Sequence, residues 1–119
     1  KKNINITLVG GQLMRDNLST ASPAAREYFD RTNFEIAVVS ATAFTPEQGF
    51  SCNSQIESEL LKNVFRKARH VYMMLDSSKI GKINPFTFAH LEDIDVLITD
   101  DHFPKEYKQL FEEQDIVVM

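Results

Sequence analysis

Glu35-Ile36-Ala37-Val38-Val39-Ser40-Ala41 and, further along, Val71-Tyr72-Met73-Met74-Leu75 are the stretches on which the fold turns. Both are short, nearly continuous apolar runs, the pattern of strands buried in a parallel sheet. Between them Ile56, Leu60, Leu61, Val64, Phe65 and Ala68 recur at helical spacing, with Lys62, Arg66 and Lys67 on the wet side. Ser54 and Glu57 form a capping box at the start of that helix. Arg66, Lys67 and Arg69 suit its C-terminus, where the helix dipole is negative. A strand, a helix and a second buried strand in succession make a parallel pair with a crossover.

Working outward, the same alternation continues. Asp76-Ser77-Ser78-Lys79, Gly81 and Pro85 mark a loop, Phe86 to Leu91 a short helix, and Ile94 to Thr99 another strand. After Asp100-Asp101-His102, Pro104 to Gln114 reads as a helix with Tyr107, Leu110 and Phe111 inward, and Ile116 to Val118 as a final strand. Toward the N-terminus, Thr42 to Asn53 reads as a loop holding Pro46, Gly49 and Cys52. Ser22-Pro23 opens a helix that runs to Arg31, with serine as N-cap and proline at the first helical position. Gln12 to Ala21 is polar and reads as a loop, and Ile4 to Val9 as a strand ending at Gly10-Gly11. The order β-α-β-α-β-(α)-β-α-β predicts an α/β fold: a three-layer, Rossmann-like, mostly parallel sheet with helices on both faces. No repeat, low-complexity stretch or linker divides the chain, so residues 1–119 are expected to form a single domain.

Composition narrows the function classes. The 119 residues are 43% hydrophobic and 25% charged with a net charge of −4, which excludes intrinsic disorder and fits one ordinary core. No apolar run approaches the roughly 20 residues of a membrane span, and no signal-peptide pattern opens the chain, so a cytoplasmic location and no membrane partner are expected. A single cysteine, Cys52, allows no intrachain disulfide and fits a reducing compartment. The acidic balance argues against this chain gripping a nucleic-acid backbone by itself.

In open α/β sheets ligands bind beyond the carboxyl ends of the strands. Those ends are Gly10-Gly11, Ser40 to Thr42, Asp76 to Lys79 and Asp100 to His102, and in a parallel sheet they converge on one rim. Asp76-Ser77-Ser78-Lys79 is the most suggestive group: an ammonium, two hydroxyls and backbone amides suit a phosphate or sugar hydroxyls. The plain alternative is that Asp76 caps the next turn and Lys79 is solvated. Gly10-Gly11 has no GxGxxG spacing and fits a plain turn as well as a close approach to a ligand. Glu57 either caps its helix or faces a ligand beside the Gly49 loop. Asp100-Asp101 fits a cap for the helix at Pro104 better than an acid/base pair. Cys52 has no histidine placed to activate it, and His70, His90 and His102 show no metal-ligand spacing, so no metal or cofactor is expected. Most of the nine phenylalanines belong to the core, whereas Phe44 and Phe50 fall in a predicted loop.

The chain resembles the C-terminal effector-binding, sugar-phosphate-sensing domain of DeoR-family transcriptional regulators. The resemblance runs through Leu8-Val9-Gly10-Gly11, Phe34 to Ala41, Pro46 to Ser51 and Glu57 to Ala68. It is sharpest in Leu75-Asp76-Ser77-Ser78-Lys79-Ile80-Gly81 and Ile94-Asp95-Val96-Leu97-Ile98-Thr99-Asp100. It implies a fold of the ribose-5-phosphate isomerase/CoA-transferase type. It also implies a phosphorylated sugar as effector, DNA contact only through a separate N-terminal helix-turn-helix, and a homo-oligomer. By motif, Gly10, Gly11, Asp76 and Lys79 are implied at the effector pocket, with Ser77, Ser78, Gly49 and Glu57 as further ligand-binding candidates. The family's early Gly-Thr-Thr-like phosphate loop and its helix-turn-helix have no counterpart in these residues, so the chain is expected to be the later, N-terminally truncated part of a sensor domain.

Three functions follow as expectations. The first is a sensor, with Lys79 neutralising phosphate and Asp76 accepting hydroxyls. The second is a sugar-phosphate isomerase-like enzyme with Asp76 or Glu57 as base. The third is an oligomerisation module using Phe44, Phe50 or Phe103. The sensor is the reading adopted, with no enzymatic activity.

Overall fold

In the computed structural model the described residues are 3–7, 12–14, 19–21 and 23–119. The parallel sheet forms where the apolar runs predict it. Its strands are β3 (Phe34–Ser40), β6 (Ala68–Met74), β8 (Val96–Ile98) and β9 (Val117–Val118), in the order β3-β6-β8-β9. Register places Val38 beside Tyr72, Tyr72 beside Val96 and Val96 beside Val117. The crossover helix α2 (Gln55–Lys67) starts at the expected Ser54 cap, whose hydroxyl accepts from the Glu57 N–H at 3.2 Å; the return bond from the Ser54 N–H to the Glu57 carboxylate that would complete a capping box is absent among the described residues. Arg66 and Lys67 fill its last turn. Helix α1 (Pro23–Asp30) precedes β3, and α3 (Lys105–Glu113) links β8 to β9 with Phe111 fully buried. The chain is thus a mixed α/β, Rossmann-like domain built on a mostly parallel sheet.

Burial alternates along the parallel strands. Ala37, Val39, Val71, Met73 and Leu97 are buried, and α2 and α3 pack over them through Leu61, Val64 and Phe111. The intervening residues Ile36, Val38, Met74 and Val117 are exposed. Each strand is followed in sequence by its next neighbour in space, and right-handed crossovers in such an order all pass over one face. Helices were expected on both faces; among the described residues α2 and α3 pack on the side of Ala37, Val39, Met73 and Leu97, and Ile36, Val38, Met74 and Val117 on the other side are exposed.

Four local expectations need correction. The predicted loop Thr42 to Asn53 is an antiparallel hairpin, β4 (Ala43–Thr45) with β5 (Gly49–Cys52). The helix expected at Phe86 to Leu91 is instead β7 (Phe86–Ala89), the third strand of that small sheet, followed by a single 3₁₀ turn at Leu91–Asp93. The physical reason is tertiary: Phe44 and Phe50 stack with centroids 4.6 Å apart, and Phe44 meets Phe111 at 5.3 Å, so the hairpin is a wall of the core. Gly49 makes the tight turn at φ 78°, where a Cβ would collide with the Ala89 carbonyl. Within Gln12 to Ala21, predicted as loop, β1 (Gln12–Met14) pairs antiparallel with β2 (Ser19–Ala21). Ile4 to Thr7, predicted as strand, have no regular secondary structure and are exposed. Leu8 to Gly11 and the Ser22 cap lie outside the described residues.

Candidate functional site

The carboxyl ends of β3, β6 and β8 meet around a cavity of about 460 Å³, within the usual range for small-molecule pockets. Its wall comes from three successive strand ends: Ser40 to Thr42, Met74 to Asp76, and Ile98 to Asp100, with Lys79 completing it. Parallel strands bring these segments together because all three leave the sheet in the same direction.

Beyond β6 the chain makes a 3₁₀ turn, Ser77–Lys79, capped by Asp76. Both hydrogen bonds to Asp76 fall on Oδ1: the Ser78 N–H donates at 2.9 Å and the Ser78 hydroxyl donates as well. Oδ2 accepts none among the described residues and stays open to a donor. The Ser78 hydroxyl, more than any other group, holds the Asp76 carboxyl below the usual aspartate value. Half-buried Lys79 forms no ion pair among the described residues, so its ammonium is available to an anion. The far end of the turn is anchored to the hairpin by the Gly81 N–H, which donates to the Phe44 carbonyl at 2.8 Å.

Asp100, at the end of β8, faces the same turn. Its Oδ2 accepts from the Ser77 N–H at 2.9 Å and the Ser77 hydroxyl at 3.1 Å, and its Oδ1 accepts from the His102 N–H at 2.9 Å. The Ser77 N–H is the main reason its carboxyl also lies below the usual aspartate value. It does not cap the helix after Pro104, as the sequence suggested. Pro104 is the N-cap of α3 and makes no side-chain capping bond. The signal available in the sequence was the position of Ile98-Thr99-Asp100 at a strand's carboxyl end, opposite Asp76-Ser77-Ser78-Lys79.

The remaining candidates separate. Asp76 and Lys79 line the cavity together. Ser77 and Ser78 belong to the turn, but their hydroxyls are spent on Asp100 and Asp76. Gly10 and Gly11 lie outside the described residues. Gly49 sits in the β4–β5 turn against Ala89 and His90, and Glu57 lines a different cavity, of about 310 Å³, with Phe29, Leu60 and Val39. Neither is at the strand-end cavity, because the hairpin packs on the core and the start of α2 opens toward α1. The Cys52 thiol is buried and donates to the Ser54 carbonyl at 3.4 Å, and its burial pushes the thiol pKa up. That is the opposite of what a nucleophile needs. Phe44 and Phe50 are wholly buried and Phe103 is 9% exposed, so none of the three offers an oligomer surface. Among the described residues no group of three His, Cys, Asp or Glu side chains gathers to hold a metal ion, and no helix is long and apolar enough to cross a membrane.

The sequence is similar to those of known proteins. Residues 1–101 match the family model of the DeoR C-terminal sensor domain. The chain is 29% identical over 114 residues to the HTH-type transcriptional regulator GlpR of Haloferax volcanii, covering 96% of this chain and 45% of that protein. It is 30% identical over 115 residues to the HTH-type transcriptional regulator IolR of Bacillus subtilis, covering 97% of this chain and 46% of that protein. The HTH-type transcriptional repressor GlcR of Bacillus subtilis is 25% identical over 100 residues, with 84% of this chain and 38% of that protein covered. The chain therefore spans less than half the length of these relatives. They are regulators of transcription, and the chain is a sensor domain rather than an enzyme. By sequence match, and with a fold that agrees, this protein belongs to the DeoR C-terminal sensor domain family of transcriptional regulators.

Proposed function

We propose that the chain is the effector-sensing part of a sugar-metabolism repressor, and that a phosphorylated sugar bound in the strand-end cavity modulates DNA binding by a separate helix-turn-helix. The observation that carries this reading is that one cavity wall holds both the Lys79 ammonium, which forms no ion pair among the described residues, and an Asp76 carboxylate oxygen that accepts no hydrogen bond among them. An ammonium suits a phosphate or another anionic oxygen, and a carboxylate oxygen accepts from sugar hydroxyls. Three of the relatives carry the word repressor in their names, which supports the negative sense of regulation. A cytoplasmic setting and a homo-oligomer belong to the same proposal.

The effector acts only through its different affinity for two states of the regulator. A tenfold difference corresponds to about 1.4 kcal/mol. The Ser77–Lys79 turn, held at one end by Asp100 on the rim of the sheet and at the other by the hairpin through Gly81, is where such a difference would be made.

The test is calorimetry of the full-length protein with a panel of sugar phosphates and their unphosphorylated counterparts. We expect one phosphorylated compound to bind, and Lys79→Ala to weaken it by roughly tenfold or more. Equal affinity in that variant removes Lys79 from the site. Equal affinity for the unphosphorylated sugar removes phosphate from the effector class.

A further inference from the structure

Two loops from neighbouring parallel strands frame the cavity, one after β6 and one after β8. Past the last ladder bond, in which the Leu75 N–H donates to the Ile98 carbonyl at 3.0 Å, they are joined among the described residues only by the carboxylate of Asp100. One oxygen takes both donors of Ser77, and the other is held by the His102 N–H. An exposed carboxylate is well solvated without such partners, so these bonds do not serve to rescue a buried charge. What they do is geometric. A carboxylate already fixed by its own loop grips the first residue of the turn that carries Lys79, while the other end of that turn is pinned at Gly81 to the hairpin.

We propose that Asp100 is a positioning residue of the cavity: by clasping Ser77 it holds the Ser77–Lys79 turn in the conformation that presents the Lys79 ammonium and Asp76 Oδ2 to the ligand. The effector part of this inference rests on the sugar-phosphate reading above; the clasp does not. Ser77 then serves as the handle of the clasp rather than as a ligand contact.

Asn at position 100 keeps one acceptor oxygen and loses the other, so it satisfies His102 or Ser77 but not both. In the full-length protein, free of ligand, Asp100→Asn is expected to speed amide exchange at Ser77 and Ser78 by roughly tenfold, with exchange in β6 and α2 unchanged. Ser77→Ala, which keeps the N–H bond and loses the hydroxyl, falls between wild type and Asp100→Asn. The ligand arm uses glucose 6-phosphate, fructose 6-phosphate and ribose 5-phosphate as probes in a cycle with Lys79→Ala. If Asp100 works through the turn, the penalty of Lys79→Ala shrinks severalfold in the Asp100→Asn background, whereas a general structural role leaves the two effects additive. Unchanged exchange at Ser77 in Asp100→Asn overturns the clasp. Lost affinity without faster exchange also overturns it, making Asp100 a direct ligand contact. If no probe binds the wild type, the sugar-phosphate reading fails, and the exchange result alone decides the role of Asp100.

Discussion

The two faces of the parallel sheet are made from alternate residues of the same strands, yet they meet opposite surroundings. On one face Met73 and Leu97 have no exposed surface and share one core cluster with Phe111. On the other Ile36 is 48% exposed, Val38 57% and Val117 59%. Both sets are apolar, as strands of a two-sided parallel sheet should be. The difference teaches that strand composition specifies a sheet fit to be covered twice, while the order of the strands decides which cover the described residues supply. With β3, β6, β8 and β9 in sequential order, every right-handed crossover lands on the same side.

The contrast can be broken by substitution, starting with the covered face. Phe111→Ala removes the ring that joins Phe44, Phe50 and Phe103, and we expect a loss of about 3–5 kcal/mol in urea denaturation of the full-length protein. A loss under about 1 kcal/mol would mean that the aromatic cluster is not the keystone of the covered side. The sharper test uses adjacent residues of β3. Val39→Thr places a hydroxyl among Ala37, Met73 and the helices and should cost about 1–3 kcal/mol. Val38→Thr changes a side chain in water and should stay within about 0.5 kcal/mol of wild type. Equal costs at Val38 and Val39 would show that the open face is covered in the whole protein.

The smallest effect is expected at the rim, which belongs to neither face. Asp76 and Asp100 have carboxyls held below their usual value by hydrogen bonds from Ser78 and Ser77. A depressed native value means stabilisation that is present above the ordinary 3.8 and lost as the pH falls through the native values. Amide exchange at Ser77 and Ser78, corrected for intrinsic rates, should therefore lose protection as the pH drops from about 5 toward about 2. Replacing Asp100 by Asn should flatten that profile at Ser77. A profile that stays flat in the wild type would mean that the two carboxylates do not govern the turn.

Legibility followed the length of each element and the origin of its burial. The seven residues of β3, the seven of β6 and the thirteen of α2 carry enough pattern for hydrophobic spacing to speak. The hairpin strands, of three and four residues, are too short to show a period, and their turn chemistry at Pro46 and Gly49 resembles that of any loop. Phe86-Thr87-Phe88-Ala89 alternates as a strand should, but four residues between Pro85 and His90 also fit one helical turn. The place of Asp76 and Lys79 beyond a strand's carboxyl end was legible because a polar run follows directly on a buried strand. The placement of Glu57 and Gly49 away from the cavity was not, because it depends on where α2 and the hairpin dock.

From its residues alone this chain determined that apolar strands alternate with an amphipathic helix, that the strands run parallel, and that polar groups cluster at their carboxyl ends. These properties follow from period, propensity and the length of a crossover, all local quantities. Only the tertiary structure decided that Phe44 and Phe50 are core rather than loop, that one face of the sheet is left open by the described residues, and that Asp100 grips Ser77 across twenty-three positions of sequence. Each of those is a contact between segments distant in the chain, whose energy exists only once both have been brought to the same place.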